Sequence, residues 1–578
     1  MKKQWRILQP DFQRVEKISK GLKCTPTFAE ILVNREIKSV KQALDFLQPS
    51  LKNIRPPFSL KDMDAAVQRI GKAIAKGEKI LIFGDYDVDG ITSAIVIFEF
   101  LDTIGADTSV YLPHRLKEGY GLQMQHISDI AIPNKVDLII TADCGSSSQD
   151  AVQKAQDADI DVIITDHHRV SNSLPAAEAF INPNRPDCDT GFEQLAGVGV
   201  AFMLTVSLRK YLRDINFWET GTEPNLLRLC DLVALGTIGD AAPLVAENRI
   251  LTHAGINLIQ TGKSRPGLKT LIEASRINEA AVTTENIAFR IVPRLNAAGR
   301  LGHAKAALDL LTAKDPAVAD EIAQYLDELN NVRKETETEI LTEIRQYLAK
   351  NPQEAGKSAI VLAHDNWHEG VLGIVASRLV DHYYRPVVVV SIREDLGKGS
   401  ARSIPGFDIY EGLSRCSCFL EAFGGHSMAA GLKIKKENIE KFKEIFEALV
   451  KNSFGPETIA PELLIDCELQ FNDISEQLLD EIEKLRPFGA ANPNPVFMAR
   501  NIAVKSSQVV GENHRRMFLY QPSSGTRKHF SAIHFNSVAD APLPESFDKI
   551  AFQLNWNYWN DQKYPQLVIV DAQFRPVA

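Results

Sequence analysis

Cysteine is scarce in this 578-residue sequence: Cys24, Cys144, Cys188, Cys230, Cys416, Cys418 and Cys467 are scattered, and none belongs to a paired CxxC set. That spacing excludes a disulfide framework and a structural zinc site, and the lone CxC of Cys416 and Cys418 reads as incidental thiols. Long apolar runs are missing as well. No stretch approaches the roughly eighteen uninterrupted apolar residues of a membrane span. The opening MKKQWRILQPDFQRVEK lacks an apolar core with a small-residue cleavage site, so no secretory signal is read and a cytoplasmic location is expected. Excess positive charge is absent too. With 65 basic against 74 acidic residues the net charge is −9, which counts against binding an acidic polymer through overall charge. It leaves room for a basic groove on an acidic protein, and for carboxylates gathered around cations. Internal repeats and low-complexity segments are also lacking.

What is present is an ordinary globular composition, 44% hydrophobic and 24% charged. The length exceeds what one core can serve and predicts about three to five folding units. Residues 1–60, broken by Pro26, Pro49, Pro56 and Pro57, read as an N-terminal extension. In 61–250 the apolar runs KILIF, TSVYLP, VDLIITAD, VIITD and AFIN are separated mostly by helical patterns, which predicts a doubly wound parallel sheet. Residues 251–350 read as mainly helical and end in a long charged helix from about 318 to 350. A second, smaller α/β unit over 351–455 carries SAIVLAHD, GVLGIVASRLVDHY, RPVVVVSI, GKGSARS and FGGHSMAAGLKI. From 456 to 578 the texture turns to period-two runs, LLIDCELQ to PQLVIVDAQF, which suit a small β-barrel of the OB type.

The chemistry concentrates at strand ends, where open α/β sheets build their sites. Asp85, Asp87 and Asp89 follow KILIF; Asp143 ends VDLIITAD; Asp166, His167 and His168 end VIITD; Asp240 follows LCDLVALGTIG. One aspartate after a strand is most simply a helix cap. Recurrence at several ends of one sheet is not explained by capping. Carboxylates held together repel unless cations join them, and Asp with His suits Mn²⁺, with Mg²⁺ also possible. Gly84, Gly90 and Gly145 let the chain turn beside these acids.

GDYDVDG, TADCG, VIITDHH and GTIGDAAPL resemble the four ordered motifs of the DHH phosphoesterase superfamily, and FGGHSMAAG resembles the GGH motif of the associated DHHA1 domain. The likeness runs on through INPNRPD, LAGVGVAF, RLNAAGRL, WHEGVLGIVASRL and GSARSIPGFD, from about 70 to 500. Within the superfamily it is nearest to bacterial exonucleases specific for single-stranded DNA, which act 5′-to-3′ in repair and recombination. The resemblance implies two Mn²⁺ or Mg²⁺ ions held by Asp87, Asp89, Asp143, His167 and Asp240. Asp85 caps the following helix or stands, with Asp166, behind these ligands, and His168 lies beside the scissile phosphate. Such chains commonly carry Asn where this one has Cys144, and Ala where it has Gly239.

Hydrolysis of a phosphodiester calls for an activated water and for relief of charge on the phosphate, which two ions about 3.5–4 Å apart supply. Asp143 is read as bridging them. Donors to the phosphate, two of them cationic, are expected from Arg294, Asn296 and Arg300 in VPRLNAAGRL. By resemblance, Ser377, Arg378, Ser400, Arg402, Ser403 and His426 face the ions from the second α/β unit and bind the terminal phosphate and backbone. Asp143, His168 and Arg300 are the catalytic set. A cleft narrower than a duplex would select single strands. In the barrel, Phe518, Tyr520, Phe530, Phe535, Trp556, Tyr558 and Trp559, with His514, Arg515, Arg516, Arg527 and Lys528, either stack on bases or fill the core. LRPFGAANPNPVF (485–497) reads as the segment that seats the barrel. Two other readings stand beside the exonuclease: a phosphoesterase for short oligonucleotides or other small substrates, and a DNA-binding scaffold that has lost its ions. A single-strand-binding protein and a helicase are the partners that the resemblance suggests.

Overall fold

The computed structural model describes residues 3–170, 173–219, 222–454, 460–511, 513–522, 528–537, 545–559 and 562–574. The chain folds into two compact units. One comprises Arg55–Ala242 and Ala254–Ala460; the other comprises Lys2–Ile54, Pro243–His253 and Pro461–Ala578.

The first unit contains two sheets. Its N-terminal sheet is wholly parallel, in the spatial order Thr108–Tyr111, Ile80–Gly84, Leu138–Ala142, Asp161–Thr165, Ala179–Ile181. ILIFG and LIITA are buried at every position, as strands covered by helices on both faces must be. The doubly wound sheet expected from the alternating runs is therefore present. Chain order reverses between Ile80–Gly84 and Leu138–Ala142, the switch point where such sheets open a crevice. The turn carrying Asp85, Asp87 and Asp89 leaves the first of those strands, and Asp143 leaves the second.

The long helix expected near 318–350 spans Pro316–Lys350. Asp315 caps it through Ala317 N–H, and Pro316 opens it, where a missing N–H costs nothing. It leads into the second sheet, ordered Leu420–Gly425, Ala429–Lys435, Leu396–Arg402, Val387–Arg393, Ile360–Asp365. Only the last two strands pair in parallel. The helices Leu372–Tyr383 and Ile439–Phe454 complete this smaller α/β lobe.

In the second unit Phe497–Val510, His514–Tyr520, His529–His534, Gln562–Gln573 and Ser546–Trp559 close into a five-stranded barrel, because the last strand pairs back onto the first. The period-two texture is realised here: Phe497, Phe552 and Leu567 point inward and are buried. The same core takes in Phe28, Ile31 and Leu32 from the N-terminal helices, while Gln4–Ile7 pairs in parallel with Glu462–Ile465. Residues 485–497 are tied down by side-chain hydrogen bonds. Asn492 donates to the carbonyls of Leu485 and Pro487. The buried Arg249 guanidinium donates to the carbonyls of Leu485, Arg486, Pro487 and Phe46 and lies 3.9 Å over the Phe46 ring. No helix among the described residues is long and apolar enough to cross a membrane.

Candidate active site

Asp87 caps the helix Val88–Thr103, its Oδ1 accepting from Asp89 N–H at 3.0 Å and Gly90 N–H at 3.1 Å. Asp89, in the first turn, is buried, and both its oxygens are held by the start of the helix Gly197–Asp214, from Gly197 N at 2.7 Å and Val198 N at 2.8 Å. A helix N-terminus stabilises the carboxylate it meets. Gly197 is required for this approach, because a Cβ there would lie 2.4 Å from Asp143 Oδ1. Asp143 itself sits at φ +63°, a left-handed turn that short polar side chains tolerate, so its carboxylate swings toward Asp89. Asp240 arrives from another direction, as the C-terminal cap of the helix Cys230–Gly239.

These groups converge on His167. Its Nε2 is 3.2 Å from Asp143 Oδ1, 3.8 Å from Asp89 Oδ2 and 3.9 Å from Asp240 Oδ2. Two triads result, Asp143–His167–His168 and Asp89–His167–Asp240, and within each the ligand atoms lie within 4.8 Å of one another. His167 belongs to both. Burial, then the neighbouring Asp240, raises Asp89 to about 7; burial, then Asp89, raises Asp143 well above the usual carboxylate range; burial also raises Asp240. Asp143 Oδ1 is buried and accepts no hydrogen bond. A buried anionic oxygen without a donor is costly, and a divalent cation removes that cost. The donor set fits: oxygen and imidazole without thiolate suit Mn²⁺ or Mg²⁺. Cys144 does not join, since its buried thiol turns to the Phe83 carbonyl, 3.7 Å away.

Opposite the carboxylates lies a group of guanidinium side chains. Arg300 donates to the Gly370 carbonyl at 3.1 Å, and burial, then the charges of Arg115, Arg402 and Arg333, push it down to about 9. Arg402, pushed down to about 10 by burial and Arg115, donates to Ser400 Oγ at 3.1 Å. Both reach the start of the helix Leu372–Tyr383, where a Cβ on Gly373 would lie 2.8 Å from Arg402 Nη2 and 3.1 Å from Ser400 Oγ. Crowded cations at a helix N-terminus make an anion site. His426 stacks on His168 with ring centroids 5.4 Å apart, so the smaller lobe meets the DHH turn directly.

Residues 79–237 match the DHH family, N-terminal domain; 356–452 match the DHHA1 domain; and 465–571 match the RecJ OB domain. The single-stranded-DNA-specific exonuclease RecJ of Bacillus subtilis (strain 168) is 36% identical over 577 residues, 99% of this chain and 71% of that one. The chain belongs to the RecJ family. RecJ of Escherichia coli (strain K12) is 34% identical over 94% of this chain and 95% of its own. The crystal structure of RecJ in complex with Mn²⁺ from Thermus thermophilus superposes with a TM-score of 0.84 at 29% identity, covering 100% of this chain and 80% of that one. The corresponding Mg²⁺ complex gives 0.77 at 28% identity, over 100% and 79% of the two chains.

Several of the expected phosphate-binding side chains have partners within the protein. Arg294 is paired with Asp327 at 2.8 Å, and Arg378 with Glu337 at 3.2 Å. Asn296 accepts from Val88 N–H at 3.1 Å, which steadies the turn bearing Asp87. Ser377 donates to the Gly373 carbonyl and the buried Ser403 to the Phe407 carbonyl. Arg300 and Arg402 likewise have partners, in the Gly370 carbonyl and Ser400 Oγ. Asp85 is buried with Oδ1 unpartnered, and Asp87 rather than Asp85 caps the helix. Asp166 holds the N–H groups of His167 and His168 and, at 2.7 Å, His168 Nδ1. Despite burial, these bonds keep Asp166 below the usual carboxylate range, and Asp166 in turn lifts His168 to about 9 against its own burial.

Two neighbours of the site escaped sequence reasoning. Tyr120 places its hydroxyl 3.1 Å from His168 Nδ1 and 3.3 Å from the Asp143 carbonyl, and Arg115 lies 4.9 Å over the Tyr86 ring. Both ride on the loop that follows the strand Thr108–Tyr111, where Gly119 and Gly121 have positive φ. In the barrel, Phe530 and Trp556 are buried, whereas Phe518, Phe535 and Tyr558 are exposed. Arg527 and the Trp559 side chain lie outside the described residues.

Proposed function

We propose that the chain is a metal-dependent exonuclease that degrades single-stranded DNA 5′-to-3′ and releases 5′-mononucleotides. The observation that carries this is the pair of carboxylate–imidazole triads sharing His167 at the switch point of the sheet. Asp87, Asp89, Asp143, His167 and Asp240 would hold the ions. Bound there, Mn²⁺ or Mg²⁺ would supply an acidified water and neutralise phosphate charge.

The protein's own groups supply the rest. His168, its Nδ1 engaged by Asp166 and Tyr120, keeps Nε2 for a phosphate oxygen. Arg300, Arg402 and Ser400 hold the terminal phosphate at the N-terminus of the helix Leu372–Tyr383. His168 and His426 come from different sheets and stack on one another, which supports a reacting strand held where the two lobes meet, and a passage there narrower than a duplex would select single strands. We assign the chemistry to residues 61–250 and 351–455, connected through 251–350, and strand capture to the barrel within 456–578, with 1–60 as an N-terminal extension. The complete acid set argues against a scaffold that has lost its ions. Work in the cytoplasm on repair and recombination substrates, with a single-strand-binding protein and a helicase, fits this reading.

The test is digestion of 5′-labelled single-stranded and duplex DNA with Mn²⁺, using wild type, Asp87→Ala and Asp143→Ala. Wild type should clear the single strand and spare the duplex, and both variants should be inactive. Normal turnover by Asp143→Ala would overturn the ligand assignment; equal attack on duplex would overturn the specificity.

A further inference from the structure

The segment INPNRPD follows the fifth strand of the parallel sheet, and none of its residues has been given a part in the site. We propose that Asn182 and Asn184 are positioning residues that fix the two histidines for metal and phosphate. This rests on the metal reading above.

Asn182 is fully buried at the end of Ala179–Ile181, and its amide nitrogen donates to the His168 carbonyl at 2.9 Å and to Ser146 Oγ at 2.8 Å. Its oxygen accepts from Asn184 N–H at 2.8 Å. Those partners settle which way the amide faces: a carbonyl can only accept and a backbone N–H can only donate. Asn184, half-buried, donates from its own amide to the His167 carbonyl at 2.5 Å. Each histidine thus has its backbone oxygen held by one asparagine, and its ring is left to act. Ser146 closes the circuit. It stands three residues after Asp143, and its N–H donates to Asp166 Oδ2 at 2.9 Å.

One buried amide therefore joins the loop of Asp143 to the loop of His167 and His168. The two ligands that share a triad are kept in register by bonds that do not touch the ion. Buried networks of this kind are stiff only when every member is satisfied. Partners standing behind metal ligands carry about ten- to a hundredfold in metal affinity.

The experiment compares wild type, Asn182→Asp, Asn184→Ala and Asn184→Gln in the full-length protein without DNA. Asn182→Asp keeps the shape and the acceptor but removes both donors. Mn²⁺ affinity is measured by calorimetry, and kcat and KM on single-stranded DNA are measured at saturating Mn²⁺. We expect Mn²⁺ affinity to fall about tenfold or more in Asn182→Asp and Asn184→Ala. At saturating Mn²⁺, kcat should fall while KM stays near wild type, and Asn184→Gln should recover part of the loss. A purely structural role would lower the thermal midpoint and leave Mn²⁺ affinity and kcat intact, and that result overturns the proposal. Should Asn182→Asp fail to fold, the single exposed-side bond removed by Asn184→Ala decides alone. Wild type that takes up no Mn²⁺ overturns the metal reading and this inference with it. Equal Mn²⁺ binding by wild type and variants overturns this inference only.

Discussion

His168 and His426 lie ring on ring, 20° from parallel, although one ends a strand of the parallel sheet and the other follows a strand of the smaller lobe. Their charge states differ. Hydrogen bonding to Asp166 holds His168 up to about 9 against its burial, whereas burial and the charge of His168 lower His426. A neutral imidazole therefore stacks on a cationic one without adding repulsion. His426→Ala should lower kcat by about a hundredfold, within the range of positioned proton-handling groups. Mn²⁺ affinity, read by calorimetry, should stay unchanged, because His426 lies outside both triads.

The carboxylate cluster makes the metal-free protein pH-sensitive. Asp89 is raised to about 7 by burial and Asp240, and Asp143 is raised well above the usual carboxylate range by burial and Asp89. A carboxylic acid whose folded pKa exceeds its unfolded value stabilises the fold below the unfolded value, near 4, and loses that contribution as pH rises through the folded one. The metal-free protein should therefore lose thermal stability between about pH 4 and 7. Mn²⁺ displaces those protons, so the rise in melting temperature on adding it should grow from pH 5.5 to 8. A rise independent of pH would show that Mn²⁺ binds elsewhere.

Arg402→Ala removes a guanidinium from a crowded group at a helix start. KM for 5′-phosphorylated single strands should increase about ten- to a hundredfold, as for lost charged hydrogen bonds, with kcat nearly constant. Removing one phosphate contact should also lower the salt slope of binding by about one. Strand-binding titrations from low to moderate salt would reveal both changes.

The barrel aromatics separate by exposure. Tyr558 is 70% exposed and Phe535 53%, against 8% for Phe530. Tyr558→Ala or Phe535→Ala should each cost about 1–3 kcal/mol of single-strand binding and leave the melting temperature alone. Phe530→Ala should instead destabilise the fold by about 3–5 kcal/mol. Equal behaviour of the two classes in binding and melting assays would refute the division.

The sheet, the long helix and the barrel were legible because their patterns are strong: buried apolar runs, a capped amphipathic stretch, and period-two strands. Asp87, Asp89, Asp143 and His167 were legible because strand ends are where such sheets place ligands. The phosphate side was harder to read. Arg294 and Arg378 stand in the right motifs but are neutralised by Asp327 and Glu337 on the long helix, and no local pattern announces such pairing. Tyr120 and Arg115 reach the site from a glycine-marked loop, where the approach of a side chain depends on how the loop folds back. No local pattern marks Asn182, whose partners are 14 and 36 positions distant in sequence.

Arg249 bears on how the C-terminal region can be dissected. Its guanidinium is solvated by carbonyls of the 485–487 turn, and residues 2–54 share a hydrophobic core with the barrel. Cutting the chain near 460 would therefore strand a desolvated cation and uncover the apolar side of the N-terminal helices. Loss of strand affinity in such a fragment would report that injury as much as a missing contact with DNA. Single-residue changes on the outer wall of the barrel are the cleaner instrument.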